Sequence, residues 1–167
     1  MLLDATGVPA GALTLEITED VLMADAARSQ QVMAGLRRLG VRLSIDDYGT
    51  GYSSLAYLRE LPVDDLKLDR SFLTDITTDP RALAIVQSTI RLAHSLGMRL
   101  VAEGVEDAET SLQLDEAGCD VQQGWYYARA MPAAQLEEWL DRIPAPAAGP
   151  AELAAAPAER VGDGPAA

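Results

Sequence analysis

The chain has 167 residues, 49% of them hydrophobic, which is enough for one domain with a real core and too apolar for a disordered polymer. Its formal net charge of −13 argues against nonspecific attraction to DNA, RNA or an anionic membrane, so a polyanionic partner would need local cations. The single Cys119 excludes a disulfide framework and a cysteine-based metal site, and no apolar run approaches the ~20 residues of a membrane span, so the chain as given reads as cytoplasmic.

Leu2-Leu3-Asp4-Ala5-Thr6 reads as the tail of a helix closed by Gly7, with Pro9 beyond, so the chain is expected to start inside a domain. Leu13-Thr14-Leu15-Glu16-Ile17 follows as a strand. A helix from about Asp25 to Leu39 carries Val32, Met33, Leu36 and Leu39 at helical spacing. The second unit is the aliphatic run 41–45, then Asp46-Asp47-Tyr48-Gly49-Thr50-Gly51, and then a short helix to about Glu60; the aspartate pair is predicted where a buried strand empties into a glycine-hinged loop. Leu66-Lys67-Leu68 is a third strand, followed by a helix from about Pro80 to Gly97. Met98-Arg99-Leu100-Val101-Ala102 is a fourth, with a helix from 108 to 117. A fifth strand near Cys119-Asp120-Val121-Gln122 leads through Gln123-Gly124 and an aromatic turn to a last helix, about 133–140.

Strands alternating with helices at this rhythm predict right-handed βαβ units and a parallel sheet. From Pro144 the sequence turns to Ala, Pro and Gly with almost no large apolar side chain, so 1–143 is expected to be the domain and 144–167 a disordered tail.

The polar residues at the strand exits are Glu16, Asp46 with Asp47, Lys67, Glu103 and Gln123. Parallel α/β folds deliver such ends to one rim, where ligands bind. Each carboxylate taken singly reads equally well as a surface group or a salt bridge. Together, four carboxylates at one mouth demand a cation, and an all-oxygen donor set favours Mg²⁺ or Mn²⁺. Asp46 is placed to bridge two ions, with Asp47 and Glu103 on one and Glu16 on the other. Such a centre suits phosphodiester hydrolysis, with Lys67 orienting the attacking water or balancing charge.

Gly49-Thr50-Gly51 superficially resembles a dinucleotide-binding turn, but Ser54 stands at the third glycine position and paired aspartates precede it. A glycine-hinged lid tethered by Glu19 is the better reading. His94 lies mid-helix and reads as structural, Cys119 as a small hydrophobe. Trp125, Tyr126 and Tyr127 either stack on a base or cap the core.

These residues, in Leu15-Glu16-Ile17-Thr18-Glu19, Asp46-Asp47-Tyr48-Gly49-Thr50-Gly51-Tyr52-Ser53-Ser54, Leu66-Lys67-Leu68-Asp69-Arg70-Ser71-Phe72, Val101-Ala102-Glu103-Gly104-Val105-Glu106 and Gln123-Gly124, make the chain similar over about residues 1–141 to the EAL domain of cyclic di-GMP phosphodiesterases. The resemblance implies a TIM-like barrel and hydrolysis of cyclic di-GMP to linear pGpG with two Mg²⁺ or Mn²⁺ ions. By position it implies Glu16 and Asp46 as ligands of one metal and Asp46, Asp47 and Glu103 as ligands of the other. It also implies Lys67 as the holder of the catalytic water, Gln123 at the site, and Glu19 as support for the lid at Gly49, Thr50 and Gly51. A homodimer is implied for intact relatives.

Tyr48 stands where phenylalanine is commoner, and Ala130 where proline is. The name-giving Glu-Ala-Leu segment and an asparagine ligand belong upstream of Met1. The expectation is therefore a partial barrel of about five strands out of eight, separated from its missing N-terminal half or sensory domain and inactive alone. The alternatives are a non-catalytic cyclic di-GMP receptor or interaction module, and a carboxylate barrel acting on another phosphate or enolizable substrate.

Overall fold

A computed structural model describes residues 2–18, 21–22, 25–49 and 55–142. Helix α1 (Leu2–Thr6) and a 3-10 turn (Ala10–Ala12) lead into β1 (Thr14–Thr18), followed by α2 (Ala26–Arg38), β2 (Arg42–Tyr48), α3 (Leu55–Leu58) and β3 (Asp65–Leu68). A second 3-10 turn (Arg70–Leu73), α4 (Pro80–Ser95), β4 (Arg99–Glu103), α5 (Ala108–Ala117), β5 (Val121–Gln123) and α6 (Ala133–Leu140) complete the order. Among the described residues no helix is long and apolar enough to cross a membrane. The chain divides into two units, 1–129, which carries the sheet, and 130–167, whose described part holds α6. The tail expected to be disordered, 144–167, lies outside the described residues.

The helices begin where the sequence supplies caps. The carboxylates of Asp25, Asp79 and Asp107 accept from the backbone N–H of Arg28 (3.1 Å), Arg81 (2.8 Å) and Thr110 (2.7 Å), satisfying donors that have no partner inside the helix. Pro80 adds a preset φ at the first position of α4.

All four strand pairings are parallel, in the order β1-β2-β3-β4-β5. The α/β class and the five parallel strands expected from the sequence are thus present, as a partial TIM-like (β/α) barrel. The centre of the sheet is the most deeply buried: β3 is buried at every position, whereas β1 alternates exposed and half-buried residues. Successive side chains on a strand point to opposite faces. Leu43 and Ile45, Leu66 and Leu68, and Leu100 and Ala102 therefore join Met33, Val86, Ile90 and Leu114 in one core. Burying each large side chain fully contributes roughly 1.5–3 kcal/mol. The intervening positions of the same strands carry the polar residues.

At the amino ends of the strands a charged cluster was not foreseen. The Asp65 carboxylate, 5% exposed, accepts from Arg42 Nη2 (3.1 and 3.2 Å) and from Arg99 Nε (2.8 Å), so β2, β3 and β4 are tied together at their entry. Its neighbour Asp64 accepts from the Leu43 backbone N–H (2.9 Å) and pairs with Arg37. Truncating Asp65 to Ala leaves Arg42 and Arg99, 34% and 46% exposed, without their shared partner and is expected to cost about 2 kcal/mol in urea unfolding, with Asn costing less because it keeps an acceptor. An alanine variant within 0.5 kcal/mol of wild type, about the scatter of neutral surface changes, would show that the cluster does not hold the strand entries.

Candidate active site

The aspartate pair does not sit in a loop. β2 runs through Asp46 and Asp47 to Tyr48, and its pairing with β3 slips on the way: β2 advances three residues from Ile45 to Tyr48 while β3 advances two from Leu66 to Leu68. That is a bulge, one extra residue on β2. Asp47 takes φ +54°, a left-handed conformation that a non-glycine residue adopts at a cost of about 1–2 kcal/mol, and which aspartate tolerates better than most. A regular strand would send neighbouring side chains to opposite faces. The bulge instead brings carboxylate oxygens of Asp46, Asp47 and Glu103 all within 4.8 Å of one another.

Lys67 stands at the centre. Its Nζ lies 2.8 Å from Glu16 Oε2, 2.8 Å from Asp46 Oδ1 and 2.8 Å from Glu103 Oε1, with the side chain 8% exposed. One ammonium thus gathers carboxylates from β1, β2 and β4. Burial by itself would make the charged lysine less favourable. The hydrogen bonds with Asp46, Glu103 and Glu16 more than offset it and hold its pKa above the ordinary lysine range. Glu16 is the outermost of the three, 48% exposed against 23% for Asp46 and 20% for Glu103.

Gln123 ends β5 directly opposite Glu103 in register, and its carbonyl accepts from the Val105 N–H at 3.0 Å, so it belongs to the same rim. Gly49 follows β2 at that rim, while Glu19, Thr50 and Gly51 lie outside the described residues. The geometry brings Glu16, Asp46, Asp47, Lys67 and Glu103 together at one set of strand exits, with the Gln123 backbone in register beside Glu103.

The donor set fits a hard divalent ion: three carboxylates close enough to share one cation, with only oxygen to offer. A cleft of about 440 Å³, whose lining includes Arg70, Ser71, Leu73, Gly104, Glu106 and Asp107 but none of the cluster's carboxylates, reaches the segment that leaves Glu103 through Gly104. Arg70, Glu106 and Asp107 were not singled out by the sequence reading, although they stand in the segments that flank Lys67 and Glu103. The signal available was adjacency to a strand exit, which does not say which loop side chains face a common space.

Residues expected to be structural behave so. His94 Nε2 lies 2.8 Å from Asp120 Oδ2, which also accepts from the Leu100 N–H at 2.8 Å. The Cys119 thiol, half-buried, has its pKa pushed up by burial. Of the aromatic turn, Tyr127 is committed to packing: its hydroxyl bonds Gln122 Oε1 (2.8 Å) and Ser111 Oγ (2.9 Å). Trp125 is 60% exposed, with the Arg129 guanidinium 4.6 Å from its ring centroid.

Comparison with known proteins follows the same lines. The family model of the EAL domain matches residues 1–130. The chain is 49% identical over 138 residues to the cyclic di-GMP phosphodiesterase NbdA of Pseudomonas aeruginosa, an alignment covering 83% of this chain and 18% of that protein. It resembles the solved phosphodiesterase MucR of Pseudomonas aeruginosa in complex with c-di-GMP (TM-score 0.75, 42% identity, 80% of this chain and 54% of that one). It also resembles BlrP1 of Klebsiella pneumoniae solved with manganese and cyclic di-GMP (TM-score 0.71, 35% identity, 76% and 32%). The chain therefore spans about a fifth of NbdA and about half of the MucR chain.

Proposed function

Because this chain belongs to the EAL domain family, we propose that it supplies the carboxyl-terminal, site-bearing part of a cyclic di-GMP phosphodiesterase that yields linear pGpG. The observation that carries the reading is the single mouth at which the Lys67 ammonium meets Glu16, Asp46 and Glu103 at 2.8 Å each while Asp47 joins from the bulge. Asp46, Asp47 and Glu103 would hold one Mg²⁺ or Mn²⁺ ion, and Glu16 with Asp46 would contribute to a second. Bound there, such ions supply Lewis acidity toward water and toward the phosphoryl oxygens.

The chain's own groups do the rest. Where bound ions take over Glu16, Asp46 and Glu103, the Lys67 Nζ donors that these carboxylates hold would be released to orient the attacking water, and its charge would offset that developing on the phosphoryl oxygens. One water is consumed: its oxygen joins phosphorus, the P–O bond to one ribose breaks, and the departing sugar oxygen takes up a proton. The cleft at Gly104 would offer Arg70 to a phosphate, and Gln123, in register beside Glu103, would add an amide to the rim. The lid role of Glu19, Gly49, Thr50 and Gly51 and the homodimer belong to this proposal as well.

The chain covers only 54% of the solved MucR chain, and its described carboxylates build one ion's site more completely than two, so the 167 residues alone are expected to turn over little. A non-catalytic receptor for the same nucleotide is the second reading. Lys67 favours it in one respect, since its ammonium offsets part of the carboxylate charge without any metal. The protein that carries this chain, incubated with Mn²⁺ and cyclic di-GMP, is expected to release pGpG on chromatographic separation. Tight nucleotide binding without product would establish the receptor instead, and neither binding nor product would end both readings.

A further inference from the structure

Lys67 leaves its strand through Asp69, whose carboxylate accepts from the Ser71 N–H (3.0 Å) and whose carbonyl accepts from the Phe72 N–H (3.1 Å). Leu73, 7% exposed, anchors the far end of this 3-10 turn in the core. The turn is therefore held at both ends, and its two exposed flanks meet the two segments that matter most for the carboxylate cluster.

On one flank the Phe72 ring lies flush against Gly49, two residues past Asp47: a Cβ built at Gly49 would stand 2.6 Å from Phe72 Cζ and 2.8 Å from one Cε. Gly49 also has φ +94°, so only glycine fits both the backbone and the ring. On the other flank Gly104, the residue after Glu103, approaches Arg70 so closely that a Cβ there would overlap the Arg70 Cβ and lie 3.5 Å from its Cα. The turn is a wedge between the segment that continues from Asp46 and Asp47 and the segment that continues from Glu103.

We propose that Phe72 is a positioning residue for the carboxylate cluster, setting through Gly49 the separation of the Asp46–Asp47 bulge from Glu103. The need for a spacer is physical. Lys67 draws Asp46 and Glu103 toward itself, while Asp47 sits on a strained, bulged backbone whose continuation at Gly49 is bounded by the Phe72 ring. Metal ligands must be held to within a few tenths of an ångström, and groups that orient ligands without touching the ion typically carry 10–100-fold in metal affinity. Phe72 acts by denying the post-bulge backbone room to relax.

This inference rests on the divalent-ion reading of the cluster, and the experiment separates the two. Mn²⁺ alone is titrated into the 167-residue chain, followed by the electron paramagnetic resonance of the free ion, for wild type, Asp47→Asn, Phe72→Leu and Phe72→Ala. Hydrogen exchange of the amides at 46–49 is measured on the same samples. Phe72→Leu keeps most of the apolar volume and is the variant that folds if Phe72→Ala does not.

The expected result is Mn²⁺ affinity about 10-fold weaker in Phe72→Leu and up to about 100-fold weaker in Phe72→Ala. Faster exchange confined to 46–49, with α4 and β4 unchanged, should accompany it. Wild-type affinity in a folded Phe72→Leu, or a lowered melting temperature with unchanged exchange at 46–49, overturns the positioning role. Mn²⁺ binding that is absent or indifferent to Asp47→Asn overturns the ion reading and, with it, this inference.

Discussion

Lys67→Met is expected to lower the unfolding free energy of the chain by about 3 kcal/mol at pH 7, the penalty of leaving buried charges without their partner. The cause is not the loss of one lysine's contacts but what remains. Glu16, Asp46 and Glu103 each sit 2.8 Å from the same ammonium, and without it three like charges share a mouth of which two members are less than a quarter exposed. Glu16, half in water, contributes least because solvent screens it. Methionine keeps the apolar stem and removes only the charge.

The sign of the pH dependence follows from the direction of each shift. In the wild type the Lys67 pKa is raised in the folded state: burial works against the charge, and hydrogen bonds with Asp46, Glu103 and Glu16 outweigh it. Its stabilisation is therefore complete below the ordinary lysine value of about 10.4 and is lost only as pH rises through the folded value, so a measurement at neutral pH sees all of it. Mn²⁺ should restore stability where the ammonium did. Urea unfolding at pH 7, with and without Mn²⁺, checks this, and a variant as stable as wild type at pH 7 would remove Lys67 from the centre of the site.

The second large effect is on turnover. In the protein that carries this chain, Asp46→Ala is expected to reduce hydrolysis of cyclic di-GMP at least about 10³-fold, equivalent to about 4 kcal/mol of barrier. Asp46 is the residue with two duties: it holds the Lys67 ammonium and belongs to the carboxylate trio that would grip the ion. Glu103 shares both duties and should fall with it, whereas Glu16 meets Lys67 from the solvent side. Rates measured across a Mn²⁺ series separate the causes. A loss recovered by excess Mn²⁺ is a loss of affinity, and a loss that persists at saturation is a loss of transition-state stabilisation. Unchanged rates in Asp46→Ala would refute the assignment of the site.

The order of strands and helices and the set of polar residues at the strand exits can be read from the chain alone, and the caps found at Asp25, Asp79 and Asp107 are of the same local kind. These are legible because each is a local property: apolar spacing defines an element's buried face, a capping carboxylate needs only the next few amides, and parallel strands separated by helices return every exit to one rim. How those exits meet is set in three dimensions. The bulge that turns Asp46 and Asp47 toward one point is a mismatch of register between β2 and β3, invisible in β2 read alone. The three-way grip of Lys67 and the opposite-end cluster of Asp65 with Arg42 and Arg99 likewise join residues from different strands, and the Phe72 wedge joins the segments that continue two of them. Local pattern fixes which face of an element is buried; the position of one element against its neighbour is set by packing and pairing between residues distant in the chain, and the chemistry depends on that position.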